Sequence, residues 1–175
     1  MTSLRRPRPI VLVALVAAVV AVACSASPDP NAQVDVGDID KASFKPVSLM
    51  LGRRCGSIDC HGSRFRNFRL YGFGGIRKVV TDTPETPATT QLEADENYDA
   101  FMTLEPAVMN DFIAAGRKEP GKLTVFRKGR GDEAHKGGKR IVADDPADKC
   151  LTSWLTSSVD VASCTAAAAE ANPLD

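Results

Sequence analysis

Two cysteines and a histidine lie within seven consecutive residues of this chain, in the segment RRCGSIDCHG at 53–62. Thiol and imidazole groups this close together restrict a fold strongly, because they form a disulfide, bind a metal ion or attach a cofactor. A metal or cofactor site requires the backbone to present Cys55, Cys60 and His61 together, whereas beside a disulfide His61 would be an incidental neighbour. The chain has only one other histidine, His135.

The N-terminus predicts export and a lipid anchor. Residues 1–9 contain three arginines and no acidic residue, and 10–23 are entirely apolar up to Cys24. This pattern is typical of a signal peptide, and the apolar run is shorter than the ~20 residues that span a bilayer. The ending AVAC is similar to the lipobox of bacterial lipoproteins. We therefore expect a lipoprotein signal peptide at 1–23, lipidation of Cys24 and anchoring in the bacterial cell envelope, facing the periplasm or the exterior; ordinary export without lipidation is the alternative.

The rest of the chain predicts one mainly α domain. We expect a flexible tether at 24–42, the domain at 43–164 and a disordered tail at 165–175. Apolar spacing predicts helices at 43–54, 97–104, 105–116 and 145–159, joined by long loops; residues 122–141 have the pattern of a glycine-interrupted loop. Lys plus Arg and Asp plus Glu both number 22, so the overall charge does not indicate a nucleic-acid partner.

The spaced segments CGSIDCHG, FRLYG, HKGGKRI and CLTSWL resemble the class I cytochrome c-like domains of predicted lipoproteins in myxobacteria and planctomycetes. The resemblance implies a small helical domain with long loops, with haem c attached through thioethers at Cys55 and Cys60. It also implies His61 as an axial iron ligand and a membrane-anchored electron carrier that meets a redox partner protein. This chain has four residues between the cysteines, whereas the common attachment motif has two; Gly56 allows the longer loop to turn back.

Two other interpretations of the cluster stay open. Cys55 and Cys60 could form a disulfide in a haem-free lipoprotein that serves as a binding or structural module. A zinc site made of Cys55, Cys60, His61 and His135 is less favoured, because the adjacent Cys60 and His61 are poor tetrahedral partners. We expect Cys150 and Cys164 to form a structural disulfide near the C-terminus.

The second axial ligand of such a haem has three candidates, Met102, Met109 and His135. Both methionines lie in predicted helices with apolar neighbours, where core packing explains them. His135 lies in a glycine-rich loop that can approach iron without loss of core contacts. We therefore predict two histidine ligands and a comparatively low reduction potential.

Two further features bear on function. Arg64, Arg66 and Arg69, interleaved with aromatic residues, could contact haem propionates or an acidic redox partner, or could form an ordinary solvated face. The sequence contains no recognisable nucleophile–base pair, carboxylate pair or phosphate-binding loop. We therefore expect a carrier and not an enzyme.

Overall fold

The computed structural model of the chain describes residues 36–79, 83 and 89–170. The predicted signal peptide, Cys24 and residues 171–175 lie outside the described residues. Within these residues the secondary structure is helical, without strands, which confirms the mainly α prediction. The helices are α1 (Phe44–Cys55), α2 (Gln91–Met102), α3 (Pro106–Ala114), α4 (Thr124–Arg130), α5 (Pro146–Thr156) and α6 (Val161–Ala169), with a 3₁₀ turn at Pro120–Lys122.

Helix α1 is the centre of the fold, and it packs against α2, α5 and α6. Its Phe44 ring lies 4.7 Å from the ring of Trp154 in α5 and 5.5 Å from the ring of Tyr98 in α2, measured between centroids. Aromatic pairs at these distances add to the free energy that comes from apolar burial alone. Since Cys55 is the last residue of α1, this core also fixes the position of the first cysteine of the cluster.

Side-chain caps define where two of the other helices begin. Thr90 and Glu93 form a reciprocal capping box at the start of α2. Asp145 accepts a hydrogen bond from the backbone N–H of Asp148 at the start of α5, where Pro146 occupies the first turn. These local signals explain why the sequence pattern placed α5 correctly.

Helix α4 was missed by the sequence pattern, which predicted a loop throughout 122–141. The helix is seven residues long, too short to show a clear apolar period. Phe126 is fully buried, and Gly131 ends the helix in a left-handed conformation with φ +80°. The burial of Phe126 depends on tertiary contacts, so the apolar spacing of the sequence does not predict this short helix.

The folded region is longer at both ends than the predicted 43–164. Ile39 is buried, and the indole Nε1 of Trp154 donates to the carbonyl oxygen of Asp40 at 2.9 Å. At the other end, α6 continues to Ala169 where the sequence predicted a disordered tail from residue 165. Its Ala167 is buried, because small side chains on α6 let it pack closely against α1.

The helices are short. None of those in the described part of the chain combines the length and apolar character that crossing a bilayer requires. Between α1 and α2 the described chain has no regular secondary structure, and the 131–145 connection leads from α4 to α5. These two irregular stretches contain His61 and His135, so the site is made of loops held by helices.

Candidate functional site: two histidines beside two free cysteines

The loop after α1 is closed by its own backbone. The N–H of His61 donates to the carbonyl oxygen of Cys55 at 3.0 Å, and the carbonyl of Ser57 accepts from both Cys60 and Gly62 at 2.9 Å. Arg66 adds side-chain bonds to the carbonyl oxygens of Asp59 and Cys60. The four residues between the cysteines therefore form a compact turn, and the wider spacing does not separate His61 from the end of α1.

Close glycine contacts make this turn possible. A Cβ atom added to Gly62 would lie 1.9 Å from the carbonyl oxygen of Gly56, and one added to Gly75 would lie 2.2 Å from the same oxygen. These distances are far below van der Waals contact. Residues 56, 62 and 75 must therefore be glycine for the loop to cross itself beside the cysteines.

His61 is held in one ring orientation. Its Nδ1 lies 2.9 Å from the carbonyl oxygen of Phe68, and since a carbonyl can only accept, Nδ1 carries the proton and donates. The Phe68 ring packs edge-on against the imidazole at 5.0 Å between centroids. Metal-binding histidines usually have their second nitrogen bonded in this way, which leaves Nε2 with a free lone pair.

Burial keeps the His61 imidazole in its neutral form. The half-buried position lowers the pKa of His61 below the usual 6.5; the Phe68 hydrogen bond opposes the shift, and His135 and Arg66 add to it. A neutral imidazole is the form that binds metal. His61 is thus a neutral imidazole whose Nδ1 proton is donated to the Phe68 carbonyl oxygen.

His135 faces His61 across the two loops. The ring centroids lie 5.8 Å apart and the ring planes differ by 14°. Its Nδ1 makes a long hydrogen bond of 3.5 Å to the carbonyl oxygen of Gly138. The two rings are therefore stacked nearly in parallel where the loops meet.

Cys55 and Cys60 are both free thiols, and each is half-buried. Burial raises the pKa of Cys55 to about 12, although the Arg140 guanidinium and, more weakly, Arg54 lower it and Cys60 raises it further. Such a thiol stays protonated near neutral pH in the metal-free protein. Cys150 and Cys164 form a disulfide that joins α5 to α6.

The methionines considered as iron ligands lie in the packed core. Met102 ends α2 and Met109 lies in α3, and both side chains are buried. Among the described residues, no group of three or more His, Cys, Asp and Glu side chains is placed to hold a metal ion. A haem needs fewer protein ligands than this, since the porphyrin supplies four.

Three residues of the site were not singled out from the sequence: Phe68, Gly137 and Arg140. Gly137 lies against the His135 ring, so that an added Cβ would be 2.7 Å from its Cε1 atom. Arg140 donates from Nε to the carbonyl oxygen of Gly137 at 2.6 Å. Gly137 and Gly138 after His135 are the sequence signal that could have indicated a close contact. The atom that the glycine approaches depends on how the loop folds.

Comparison of the chain with protein-family models, with curated proteins and with solved structures finds no match. The functional argument therefore depends on the arrangement of these residues.

Proposed function

We propose that this protein is a membrane-anchored c-type cytochrome-like electron carrier of the bacterial cell envelope. The observation that carries the proposal is the facing pair of His61 and His135 next to two free cysteines. In this proposal Cys55 and Cys60 hold haem c, and His61 and His135 are its axial ligands. Bound haem would supply one-electron transfer at its iron.

The donor set fits a haem in its chemistry. Free thiols on one short turn are available for two thioether bonds, and neither is consumed by a disulfide. Both histidines use Nδ1 to donate to a backbone carbonyl, so both keep Nε2 for a metal. The haem-free alternative requires a Cys55–Cys60 bond, and the two sulfur atoms are unbonded in this structure.

The chain's own residues would set the properties of the carrier. Loop hydrogen bonds and glycine contacts hold His61 at the end of α1, so little rearrangement is needed when oxidation state changes. Two imidazole ligands give a lower reduction potential than a histidine and a methionine. We therefore assign the carrier a comparatively low potential.

Covalent haem is tested by producing the protein together with haem-maturation enzymes and staining a denaturing gel for haem. The wild type should stain, and the Cys55→Ser/Cys60→Ser variant should not. The Cys150→Ser/Cys164→Ser variant is the matched control, since it also loses two cysteines but should keep the stain. An unstained wild type with a Cys55–Cys60 disulfide in its mass spectrum would reject the haem and establish the alternative.

Axial ligation is tested separately on the haem-containing protein. His135→Ala should convert a low-spin visible spectrum to a high-spin one and let added imidazole bind. Met102→Leu and Met109→Leu should leave the spectrum unchanged, because leucine fills a similar core volume. A wild-type spectrum with the charge-transfer band of methionine bound to iron would show that His135 is not the ligand.

A further inference from the structure

The loops that carry the two histidines are basic, although the whole chain is neutral. The segments 53–69 and 134–140 contain one acidic residue, Asp59, and eight basic ones, of which only Arg54 is buried. The remaining seven are Arg53, Arg64, Arg66, Arg69, Lys136, Lys139 and Arg140. Because the chain balances to zero, its other segments carry an acidic excess. Positive charge is therefore concentrated around the site.

These seven cations have no carboxylate partner among the residues that the structure describes. Arg66 and Arg140 donate to backbone carbonyls and Arg53 lies over the Phe73 ring, whereas eight other basic residues form ion pairs. The paired set is Lys41, Arg54, Arg77, Lys78, Lys122, Arg127, Lys128 and Arg130. The positive charge around the site is thus not neutralised by carboxylates of the described residues.

Two exposed apolar side chains lie within the same loops. Phe65 is 88% exposed between Arg64 and Arg66, and Ile58 is 53% exposed in the turn between the cysteines. Exposed aromatic and arginine side chains are characteristic of the residues that contribute most to protein–protein binding. We call the seven cations with Ile58 and Phe65 the basic docking surface.

We propose that the basic docking surface binds an acidic protein, which is the redox partner of the carrier. This inference rests on the proposed function, because electron transfer requires a partner close to the histidine pair. Complementary charge would accelerate the encounter and orient the partner at the site.

A protein partner fits the surface better than a membrane does. Peripheral membrane binding usually involves an amphipathic helix with a broad apolar face. Here the surface consists of irregular loops with two apolar side chains, surrounded by arginines and lysines. Aromatic and arginine side chains are enriched in protein interfaces relative to the rest of the surface.

The test measures binding of a synthetic acidic peptide, Glu-Glu-Glu-Tyr-Glu-Glu-Glu, and of its glutamine counterpart to the mature protein by NMR titration at about 0.1 M ionic strength, where the screening length is about 10 Å. The acidic peptide should shift signals in residues 58–69 and 134–140, and the glutamine peptide should not. The Arg64→Gln/Lys136→Gln/Lys139→Gln variant should weaken binding about tenfold. None of these three side chains takes part in a hydrogen bond or ion pair within the described residues, so the site itself is left intact.

The matched control is Lys45→Gln/Lys118→Gln/Lys149→Gln, which removes the same charge from exposed lysines outside the surface. It should change binding less than twofold, since exposed charges far apart are screened. If both triple variants lost peptide binding equally, the proposal would be overturned, because the peptide would then be responding to the net charge of the protein and not to this surface. Tighter binding to phosphatidylglycerol vesicles than to the peptide would also overturn it and assign the surface to a membrane.

The titration does not depend on haem and is repeated with the Cys55→Ser/Cys60→Ser variant. If that variant binds the peptide while the wild type fails to stain for haem, the surface stands and the electron-carrier function fails. If the wild type stains but does not bind the peptide, the carrier stands and the docking surface fails.

Discussion

Among single residues, Gly137 matters most to the position of His135, because only glycine leaves room for the imidazole ring. Gly137 lies so close to the His135 imidazole that a methyl group would have to displace the ring or the loop. The hydrogen bond from Arg140 to the Gly137 carbonyl limits movement of that loop. The orientation of His135 is therefore set by its neighbours 137, 138 and 140.

We expect Gly137→Ala to weaken the second axial bond without affecting haem attachment. The added methyl group would lie 2.7 Å from the His135 Cε1 atom, so the ring must shift. The variant should stain for haem like the wild type but show high-spin character and bind added imidazole or carbon monoxide more readily. Visible spectra with and without these ligands give the measurement.

Gly121→Ala is the control for this change. A methyl group at residue 121 would meet only the Arg130 Nη1 atom at 3.7 Å, an ordinary contact. Its spectrum should match the wild type. An unaltered spectrum in Gly137→Ala as well would show that the loop yields and that Gly137 does not position His135.

Glu93 illustrates a second residue whose role follows from burial. Its carboxylate is fully buried and accepts two hydrogen bonds from Arg77, at 2.7 and 3.0 Å, as well as backbone N–H bonds from Lys78 and Thr90. Burial alone would raise the pKa of Glu93, but these bonds outweigh it and hold the pKa below the usual 4.5. The ionised carboxylate therefore ties the start of α2 to residues 77 and 78.

Glu93→Gln should lower the free energy of unfolding by about 3–5 kcal/mol near neutral pH, because it removes the carboxylate charge from the buried Glu93–Arg77 ion pair. Because the pKa of Glu93 is lower in the folded chain than in the unfolded chain, its carboxylate stabilises the fold above pH 4.5. This stabilisation is lost as the pH falls through the pKa of the folded state. The gap between wild type and variant should therefore shrink below about pH 4. Urea unfolding across pH measures both.

Glu96→Gln provides the comparison, since Glu96 pairs with Lys78 in a more exposed position. An exposed pair contributes roughly 0–1 kcal/mol, so this variant should unfold almost like the wild type. A constant gap between wild type and Glu93→Gln down to low pH would contradict the assigned role of the carboxylate.

At the scale of elements, α6 is held to the fold mainly by the disulfide and by its contacts with α1. Cys150 in α5 and Cys164 in α6 are joined across 14 residues. The side chain of Arg54 in α1 is fully buried; it donates to the carbonyl oxygen of Ala167 and pairs with Glu170 at 2.6 Å. Helix α6 thus secures α1 close to Cys55.

We expect the Cys150→Ala/Cys164→Ala variant to lose about 3 kcal/mol of unfolding free energy, from the chain entropy that a loop of this length regains. Denaturant unfolding of the haem-free protein measures this loss. Cys60→Ala should cost far less, because Cys60 is a free, half-buried thiol on the loop. Equal stabilities of the wild type and the double variant would mean that packing alone retains α6.

At the scale of the whole molecule, the described domain is proposed to be tethered to a membrane by a lipid at Cys24. The basic n-region, the apolar run at 10–23 and the cysteine that ends it motivate this proposal.

Cys24→Ser should abolish lipidation and release the protein from the membrane fraction. The measurement is incorporation of a fatty-acid analogue in cells, with membrane partition of the same samples. Cys60→Ser is the control: it has the same number of cysteines as Cys24→Ser and should remain membrane-bound. Wild-type protein that begins downstream of residue 24, or carries no label, would contradict the anchor.

The sequence by itself determined the helical class of the domain and several of its elements. Helices α1, α3 and α5 have clear apolar spacing with proline or polar residues at their starts, and local propensity and burial agree there. It also singled out Cys55, Cys60, His61 and His135 as the residues that carry chemistry. Residue type and short spacing are sufficient for this, because thiols and imidazoles are rare and chemically distinct.

Only the tertiary structure decided which of these residues meet. His61 and His135 are 74 positions apart, and their 5.8 Å separation follows from loops that α1, α4 and α5 hold in place. Helix α4, the end of α6 and the contact of Gly137 with His135 were likewise not readable from local patterns. Each depends on long-range packing, in which a short or weakly periodic segment takes its conformation from the surfaces that it contacts.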